Sequence, residues 1–534
     1  MYRKLLNQNT RHLSTSSLTV VPGAIRSEPF GFAQDRLRRV SGEVEERDPS
    51  RLAGLRLRFA TLRPNGCSFA QKVRLCANLL WGDLVCSLLF FTATFVAVTA
   101  FAKVSPEEAA RLDAELTPLG AERAGNAAGT IPPWTGGITE PPPNYKPGDH
   151  HPDLYPDDAI LFTITAANVE EHAAHLSEGQ KALLLTYPDT WRMPVYPTRR
   201  SASYPPWVYE AAKANALTAE VVVEGKGGVA NATITSPFPI PQSGVEVIWN
   251  HNLRWRGIHV VRSNGSAAVT RLGNYGVILA EQEVGAPYGS PHVTPFKEGY
   301  PNVMFATKSK IVQPELLAGE GSLIIEPLNQ TNDPRKAWIY SQGLRRIVRL
   351  PYAAYDFPVP NTDNLQTIDE VGLFNGPPDR FEWQLVGKRE LYIPYNAYRL
   401  HSDSVTYSDI LRQGHINPEL ARYELHRVWV VEGTLKPGQR HIYSRRIFYV
   451  DEDSWQIAVA DNYDKDGQLW RVAEAHALNY YDVPVLWTTL EVYHDLKERR
   501  YLATGMDNAR NMYRFYEDAD PRDFSPNALL YYIR

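Results

Sequence analysis

The feature that most restricts the fold of this chain is a series of strand-like segments joined by very short connections near its C-terminal end. Segments rich in Val, Ile, Tyr and Trp alternate there with turn residues at Pro437-Gly438, 451–453 and 464–467. Connections this short cannot hold the crossover that two parallel strands need. The pattern therefore predicts consecutive antiparallel hairpins, which form a meander and not a sheet of βαβ units.

Strand patterns begin near Val221. Both faces of these strands carry apolar residues, since Trp429 and Val431 share one face while Val428 and Val430 lie on the other. Both faces then need cover, which a curved sheet with packed helices, a closed barrel or a sandwich would supply. The predicted strands are 245–249, 258–263, 322–326, 336–340, 344–350, 383–392, 427–435, 441–450, 454–461, 468–475, 486–494 and 500–503.

Helix-start signals lie mostly before these strands. Ser105 precedes Pro106 as an N-cap and predicts a helix that reaches Leu116. A segment dense in Pro and Gly, 131–158, is predicted to be a loop that wraps around the body. Cap signals or helical apolar patterns predict further helices near 168–175, 177–187 and 207–217 and from Ser525 onward.

The first hundred residues differ from the rest in charge and hydropathy. Residues 1–102 hold 14 Lys and Arg against 7 Asp and Glu, whereas the remainder holds 42 against 53. The apolar run 84–100 follows Lys72 and Arg74 and ends in small residues, as in a signal peptide, with a retained membrane anchor as the alternative. We predict a disordered or wrongly assigned extension over 1–70, a signal peptide over 71–102 and a single large β domain over 103–534.

These features disfavour several classes of function. The acidic body has no basic stripe, so we expect no nucleic-acid partner. The three cysteines, Cys67, Cys76 and Cys86, all precede the predicted cleavage point, so the mature chain would contain no disulfide and no cysteine metal ligand. Export of this kind implies the periplasm, with an association with the outer membrane as a further option.

The common catalytic motifs for zinc, serine, phosphate and dinucleotide chemistry are absent from the sequence. We therefore expect no cofactor, no metal and no enzymatic activity. His150-His151 lies in the Pro/Gly loop, where adjacent side chains seldom face one ion. The acidic run 451–453 is predicted to be a solvated turn and not a catalytic pair. Asp461, Asp464 and Asp466 are predicted to mark a plain turn and not a calcium loop.

Two segments, 236–257 and 337–351, combine aromatic rings with cationic side chains. Such residues can line the mouth of a cavity that holds an apolar ligand with a polar head. The alternative is that the tryptophans fill the core while the arginines pair with acids. On the first interpretation, the ligand-binding residues are Trp249, His251, Arg254, Trp255, Trp338, Tyr340, Arg346 and Tyr395.

Several blocks of the chain resemble, in the same order, the bacterial domain-of-unknown-function family 1329. The resemblance covers residues from about 105 to 534. It implies a mainly β fold with some α, similar to the LolA/LolB-like periplasmic lipoprotein carriers: a large curved antiparallel sheet, open as a half-barrel, with helices covering its concave face. The blocks include ELTPLGAERAGNAAGTIPPWTGG at 115–137, PFPIPQSGVEVIWNHNLRWRG at 237–257, AWIYSQGLRRIVRLP at 337–351, FEWQLVGKRELYIPYNAYRL at 381–400 and FSPNALLYYIR at 524–534.

We therefore expect a periplasmic binding or shuttle protein for a lipid or other hydrophobic molecule, whose partner is an exporter or an outer-membrane protein. A chain of roughly sixteen carbons faces about 12 kcal/mol against crossing water unescorted, at about 0.8 kcal/mol per methylene. The helices near 169–186 and 206–217 are the expected lids. The alternatives are a secreted hydrolase acting on envelope glycan or lipid, and a non-catalytic docking partner of an exporter or outer-membrane complex.

Overall fold

A computed structural model describes residues 104–222, 228–292, 302–330 and 333–534. The predicted extension and signal peptide lie outside these ranges. The strands are β1 (Phe162–Ile164), β2 (Met193–Tyr196), β3 (Glu220–Val221), β4 (Val229–Ala230), β5 (His259–Val269), β6 (Ile278–Gly285), β7 (Val303–Gln313), β8 (Gly321–Pro327), β9 (Lys336–Ser341), β10 (Arg346–Leu350), β11 (Phe381–Pro394), β12 (Tyr423–Leu435), β13 (Arg445–Asp451), β14 (Ile457–Tyr463), β15 (Leu469–Tyr480), β16 (Val485–Asp495), β17 (Arg500–Met506) and β18 (Arg514–Tyr516).

Two meanders build the main sheet. Strands β5 to β10 pair antiparallel in chain order, and so do β11 to β17. β17 also pairs antiparallel with β5, which joins the two meanders into one sheet. β10 and β11 occupy separate ends of this order and do not pair with each other. The predicted mainly β fold, with a large antiparallel sheet that does not close into a barrel, is confirmed.

The tight connections of the second meander form as the sequence predicts. Gly438 and Gly467 have φ values of 80° and 74°, a left-handed conformation that glycine adopts without a steric penalty. A side chain added at either position would meet no atom within 4 Å, so the conformation and not the space requires glycine there. These two glycines reverse the chain between β12 and β13 and between β14 and β15.

The described residues contain fewer helices than strands, and most of these helices precede or follow the meanders. Among the described residues, no helix has the length and apolar character needed to cross a bilayer. The helices are α1 (Pro106–Ala109), α2 (Glu178–Thr186), α3 (Pro206–Thr218), α4 (Gly244–Leu253), α5 (Tyr398–His401), α6 (Tyr407–Ile410) and α7 (Pro526–Ile533).

Most predicted helix starts are confirmed. The N–H of Gln180 donates to Ser177 Oγ at 3.0 Å, and the N–H of Ser177 donates to the Gln180 side chain at 3.1 Å, which completes the capping box of α2. The first helix is shorter than predicted, because Asp113 adopts a left-handed φ of 73° and the chain turns before Leu116. Residues 169–175 form a 3₁₀ helix.

The predicted strand 245–249 is wrong, because this segment lies in α4. Its residues, VEVIW, include three β-branched side chains and a tryptophan, a composition that favours strands. A buried helix can carry the same residues, and periodicity over so short a segment cannot separate the two structures. Every residue from Glu246 to Leu253 is buried, so α4 is such a helix.

Replacing Gly244 with alanine is expected to destabilise the protein by about 1 to 3 kcal/mol. The added Cβ would lie 2.8 Å from backbone atoms of Trp383 in β11, which cannot move without disturbing the sheet. Gly276→Ala is the matched control, since nothing lies within 4 Å of its Cβ position. Thermal unfolding of the two variants tests the expectation, and equal melting temperatures would contradict it.

Helices and loops cover both faces of the second meander. On one face, α3 and α4 pack against a cluster that includes Ala473 and Tyr493. On the other face, α2 packs against a cluster that includes Val472 and Val492, the neighbours of those residues along the same strands. All seven residues of β14 are buried. The expectation that both faces need cover is confirmed for this half of the sheet.

Candidate functional site

The first meander is less tightly filled than the second. Most residues of β5 to β8 are only half-buried, whereas β14 and β15 are buried along nearly their whole length. One face of β5 to β9 borders a cavity of about 550 Å³, which we name the sheet cavity. Small-molecule sites in proteins have volumes of about 300 to 1,000 Å³. The sheet cavity is therefore large enough to hold a ligand.

A row of polar side chains crosses the floor of the sheet cavity. Arg262 pairs with Gln282, Gln282 with Ser309, and Ser309 with Ser322, so the four side chains share one face of four neighbouring strands. Arg262 Nε donates to Gln282 Oε1 at 2.7 Å, and the hydroxyl oxygens of Ser309 and Ser322 lie 2.7 Å apart. The row thus satisfies much of its own hydrogen-bonding capacity.

Apolar and small side chains flank this polar row. Most are alanine, valine, isoleucine or threonine, which stand only a short way above the sheet. Long side chains at these positions would fill the space, as the aromatic residues do in the second meander. The cavity therefore follows from side-chain size along one face. The flanking residues are Val260, Val284, Thr307, Ile324 and Ala337 on one side, and Ala280 and Ile311 on the other.

Two irregular segments form the walls of the sheet cavity. The loop 350–376 packs Ala353 and Ile368 against Ala337 of β9. Residues 252–257, at the end of α4 and just beyond it, form the second wall. Trp255 anchors this wall, because its indole N–H donates to the carbonyl oxygen of Gly289 at 3.0 Å. Neither segment predicted as a lid borders the cavity.

The opposite face of the same strands is occupied by the C-terminal helix. Leu529 of α7 and Phe524 just before it pack against Leu323. The ammonium group of Lys308 lies 4.9 Å from the Tyr532 ring centre and 2.9 Å from a carboxylate oxygen of Glu283. Because these contacts occupy the opposite face, this half of the sheet can accept a molecule only on the face that borders the sheet cavity.

Three arginines border one end of the sheet cavity: Arg254, Arg256 and Arg262. Arg254 Nη2 donates to the side-chain oxygen of Gln456 at 2.6 Å, and the Arg256 guanidinium lies 5.4 Å from the Phe305 ring centre. Burial, and then the charge of Arg262, lower the pKa of Arg256 to about 10. No carboxylate oxygen of a described residue lies within 4.0 Å of these three guanidinium groups.

Four of the eight predicted ligand-binding residues border the sheet cavity. Arg254 and Trp255 belong to the wall that follows α4. Trp338 and Tyr340 also border it, but Trp338 pairs with Leu323 and packs in the cluster beneath α7, so its ring belongs to the opposite face. The structure therefore places Arg254 and Trp255 in a wall of the cavity, whereas the ring of Trp338 packs on the other side of the sheet.

The other four predicted residues, Trp249, His251, Arg346 and Tyr395, lie outside the lining of the sheet cavity. Three of them have the contacts expected of core packing: Trp249 lies in a buried cluster, His251 accepts the N–H of residue 457 on Nδ1 at 3.0 Å, and Tyr395 lies 4.1 Å from the ring centre of His426. Arg346 is exposed on β10.

The strands that contribute much of the lining, β6 and β7, are not among those predicted from the sequence. In β7, buried Met304 and Ala306 alternate with half-buried Phe305 and Thr307. The sequence does not show this alternation, because residues 303–306 are all apolar, so a period of two could not identify the strand there. Nor does the sequence show that one face borders empty space.

A second cluster of ionisable groups lies at the hairpin between β13 and β14. The sequence predicts a solvated turn at Asp451, Glu452 and Asp453, but these residues are at most 6% exposed, so the prediction is wrong. Arg200 donates from Nε and Nη2 to the two oxygens of Asp453 at 2.8 and 2.6 Å. Arg427 donates to Glu452 at 2.7 Å. Distant arginines thus neutralise the buried acids.

The second acidic run and the histidine pair also lie partly in the interior. Asp461 is fully buried in β14, where it accepts a hydrogen bond from Ser177 Oγ at 3.0 Å and where burial raises its pKa to about 6. The plain turn predicted for this run forms at 464–467, where the N–H of Gly467 donates to the carbonyl oxygen of Asp464 at 3.1 Å, while Asp461 lies in the strand before it. His151 is buried, with Nε2 2.7 Å from Asp482 and Nδ1 3.2 Å from His401.

The ligand atoms of His426, Asp451 and Asp453 lie within 4.8 Å of one another, a spacing compatible with a metal ion. Both oxygens of Asp453, however, already accept hydrogen bonds from Arg200, whose charge balances the acids. Burial alone lowers the pKa of His426, but the neighbouring carboxylates of Asp451 and Glu424 outweigh burial and raise it to about 9. The cluster is therefore best described as an ion-pair network with a charged imidazole.

This raised pKa predicts a pH dependence of stability. An unfolded histidine has a pKa of about 6.5, so His426 contributes its full stabilisation below that pH and loses it as the pH rises through about 9. We expect stability to fall by about 3 kcal/mol between pH 6.5 and 9.5, and His426→Gln to remove most of this fall. Urea unfolding at several pH values measures it.

The control for this experiment is His494→Gln. His494 is equally buried, but burial lowers its pKa to about 3, so it stays neutral over the whole range. This variant should keep the pH dependence of the unmodified protein. Identical pH profiles for the two variants would show that His426 is not charged in the folded state.

Comparison with known proteins places the chain in a family. The family model described as a protein of unknown function (DUF1329) matches residues 163–530. An uncharacterized protein of Pseudomonas aeruginosa is 46% identical over 437 residues, which are 82% of this chain and 95% of that protein. The resemblance predicted from the sequence blocks is confirmed.

Solved structures with low sequence identity cover about half of this chain. A putative outer membrane lipoprotein-sorting protein domain from Vibrio parahaemolyticus is 11% identical, with 51% of this chain and 92% of that one covered and a TM-score of 0.35. A DUF1329 family protein from Desulfovibrio piger is 13% identical, with the same coverage and TM-score. A LolA superfamily protein from Nitrosomonas europaea is 10% identical, covers 54% and 100%, and has a TM-score of 0.32. By its match to the family model and its relative in Pseudomonas aeruginosa, the chain belongs to the DUF1329 family.

Proposed function

We propose that this protein binds a lipid or another hydrophobic molecule in the sheet cavity and carries it through the periplasm. The observation that carries the proposal is the cavity itself: about 550 Å³ over a sheet face lined mainly by short apolar and small polar side chains. A cavity of this lining is unfavourable for water, which needs several polar partners. An apolar ligand fills it better.

The energetics favour such a role. Moving a methylene from water into an apolar site contributes about 0.8 kcal/mol, so burying even eight methylenes contributes about 6 kcal/mol before the costs of association. A protein with this cavity can therefore hold a molecule that would otherwise not leave a membrane. No covalent step is needed for that task.

Binding accounts for the lining better than hydrolysis does. No histidine is among the described residues that line the sheet cavity. Three acids line the cavity: Glu320, Glu326 and Glu491. Glu326 is paired with Arg335, and Glu491 accepts hydrogen bonds from Tyr493 and from the N–H of Gly372 at 2.8 and 3.3 Å. With two of the three carboxylates engaged, the lining does not offer the free carboxylate pair that glycoside hydrolysis requires.

The proposal is tested by direct binding of a neutral hydrophobic fluorophore, N-phenyl-1-naphthylamine, together with native mass spectrometry of protein purified without detergent. We expect saturable fluorescence enhancement with one site per chain, and a bound species that disappears on delipidation. A fluorophore that neither binds nor is displaced by any long-chain compound, with no co-purified lipid, would contradict the proposed function.

The cellular location is part of the same proposal. It is supported by the order of charged, apolar and small residues over 72–102, and an envelope exporter would be the partner that delivers or receives the ligand. N-terminal sequencing of protein from a periplasmic extract is expected to begin near Lys103. A mature chain that begins well before this residue would contradict export by a cleaved signal peptide.

A further inference from the structure

The arginine end of the sheet cavity lacks the counter-charge that buried arginines normally have. Elsewhere in this protein buried arginines are paired: Arg200 with Asp453 at 2.6 Å, and Arg422 with Glu424 at 2.6 Å. Arg256, in contrast, has only a ring contact with Phe305 among the described residues. Arg254 is buried and Arg256 and Arg262 are half-buried. Withdrawing guanidinium groups even partly from water without an anion is costly, so a site built this way calls for one.

Two further arginines lie beside this one. Arg262 directs Nε to a neutral partner, Gln282, at 2.7 Å, and Arg254 directs Nη2 to another neutral partner, Gln456, at 2.6 Å. Neither guanidinium lies within 4.0 Å of a carboxylate oxygen of a described residue. Three like charges therefore border one end of the cavity, and two of them, Arg254 and Arg262, are held by neutral amide side chains that leave their charge unbalanced.

One acid lies in this region, and its oxygens are engaged elsewhere. Glu491 acts on Arg254 and Arg256 by its charge, but Oε2 accepts hydrogen bonds from the hydroxyl of Tyr493 and the N–H of Gly372. One carboxylate against three guanidinium groups leaves a net positive end. Guanidinium groups bind carboxylate and phosphate oxygens through paired N–H donors.

The apolar part of the cavity continues from this end. Beyond Gln282, the cavity face of β6 carries Ala280 and Ile278, and Ile311 of β7 pairs with Ala280, so these two strands present an apolar lining there. Asn264 and Ser266 of β5 border this apolar part with polar side chains. A molecule with one charged end and an apolar tail matches this division. A purely apolar molecule would leave the arginines without a partner.

We propose that the ligand of the sheet cavity is an amphiphile whose anionic group, a carboxylate or a phosphate, binds Arg256 and Arg262 while its apolar chain lies over β6 to β8. This proposal rests on the proposed binding function and adds the chemical class of the ligand. Arg254 adds a third positive charge at this end of the cavity, which further favours an anionic group there. The anionic group would supply the counter-charge that the chain itself does not.

The test compares two probes of equal chain length, dodecanoate and dodecan-1-ol, as displacers of N-phenyl-1-naphthylamine. In the double variant Arg256→Gln/Arg262→Gln, we expect the affinity for dodecanoate to fall by about tenfold or more, because the variant removes the charge-assisted hydrogen bonds to the carboxylate. The affinity for dodecan-1-ol should stay within about threefold. Arg349→Gln, an exposed arginine on β10 outside the lining, is the control and should change neither affinity.

The outcomes separate this inference from the function on which it rests. If the alcohol binds and both probes respond equally to the double variant, the binding function stands and the anionic end group is wrong. If neither probe displaces the fluorophore, both proposals fail. If inorganic phosphate displaces the fluorophore and dodecanoate does not, the site binds a free anion, and the proposal of an amphiphilic ligand is wrong. Arg256→Lys, which keeps the charge, should retain most of the dodecanoate affinity, and its failure to do so in a folded variant would count against recognition of charge.

Discussion

Replacing Arg200 with methionine is expected to destabilise this protein by about 3 to 5 kcal/mol, among the largest effects that a single substitution can have. The Arg200 side chain is 3% exposed and that of Asp453 is 2% exposed. Two hydrogen bonds of 2.8 and 2.6 Å join them, and Arg200 also donates to the carbonyl oxygen of Glu122 at 2.9 Å. Without the arginine, a buried carboxylate would have no paired cation at this distance.

The arginine also determines the charge state of its partner. Burial alone raises the pKa of Asp453, but the charge and hydrogen bonds of Arg200 outweigh it and hold the pKa below its usual value. In the variant, Asp453 must therefore either stay charged without this partner or take up a proton. Both alternatives cost free energy of folding, and the second makes the loss smaller at low pH than at neutral pH.

Urea unfolding of three variants measures this effect. Arg192→Met is the matched control, because Arg192 pairs with Glu419 at the surface, where both side chains are exposed, and should cost less than about 1 kcal/mol. The double variant Arg200→Met/Asp453→Leu should recover part of the loss, since it removes both charges. Equal losses for the Arg200 and Arg192 variants would show that the buried pair does not stabilise the fold.

This ion pair also shows where the sequence ceases to be informative. Asp453 sits in a short connection that is rich in acids, and local reasoning assigns such a run to water. Its partner Arg200 is 253 residues away along the chain, and no local pattern connects the two. Burial of the hairpin depends on packing between distant segments, so the solvated-turn prediction failed for a reason that sequence reading alone cannot remove.

The strands of the second meander were predictable for the opposite reason. Their pairing is between neighbours in the chain, and turn residues such as Gly438 mark each reversal. Helix α4 was not predictable from the sequence, because a buried helix and a buried strand can share one apolar pattern. The wall formed after α4 was partly found, since Arg254 and Trp255 stood out by residue type. A ligand cavity was expected, but its position over β5 to β9 was not, because that position depends on side-chain sizes across five strands.

Filling the sheet cavity should abolish ligand binding more than it affects the fold. Ala280 lies on the cavity face of β6, paired with Asn264 and Ile311. We expect Ala280→Phe to weaken binding of N-phenyl-1-naphthylamine by at least about tenfold. The ring would exclude the equivalent of about two methylenes of ligand, which is about 1.6 kcal/mol, and about 1.4 kcal/mol corresponds to a tenfold change in affinity.

The control places the same ring one residue along the strand. Glu281 points to the opposite face of β6, where its carboxylate is 42% exposed and lies 3.1 Å from Lys310. Glu281→Phe should therefore leave binding within about threefold of the unmodified protein. Because Ala280→Phe adds a ring to empty space, its unfolding free energy should change by less than about 1.5 kcal/mol. If Ala280→Phe folds and binds as the unmodified protein does, the hydrophobic ligand is held elsewhere, and the space over β5 to β9 is only a gap in the packing.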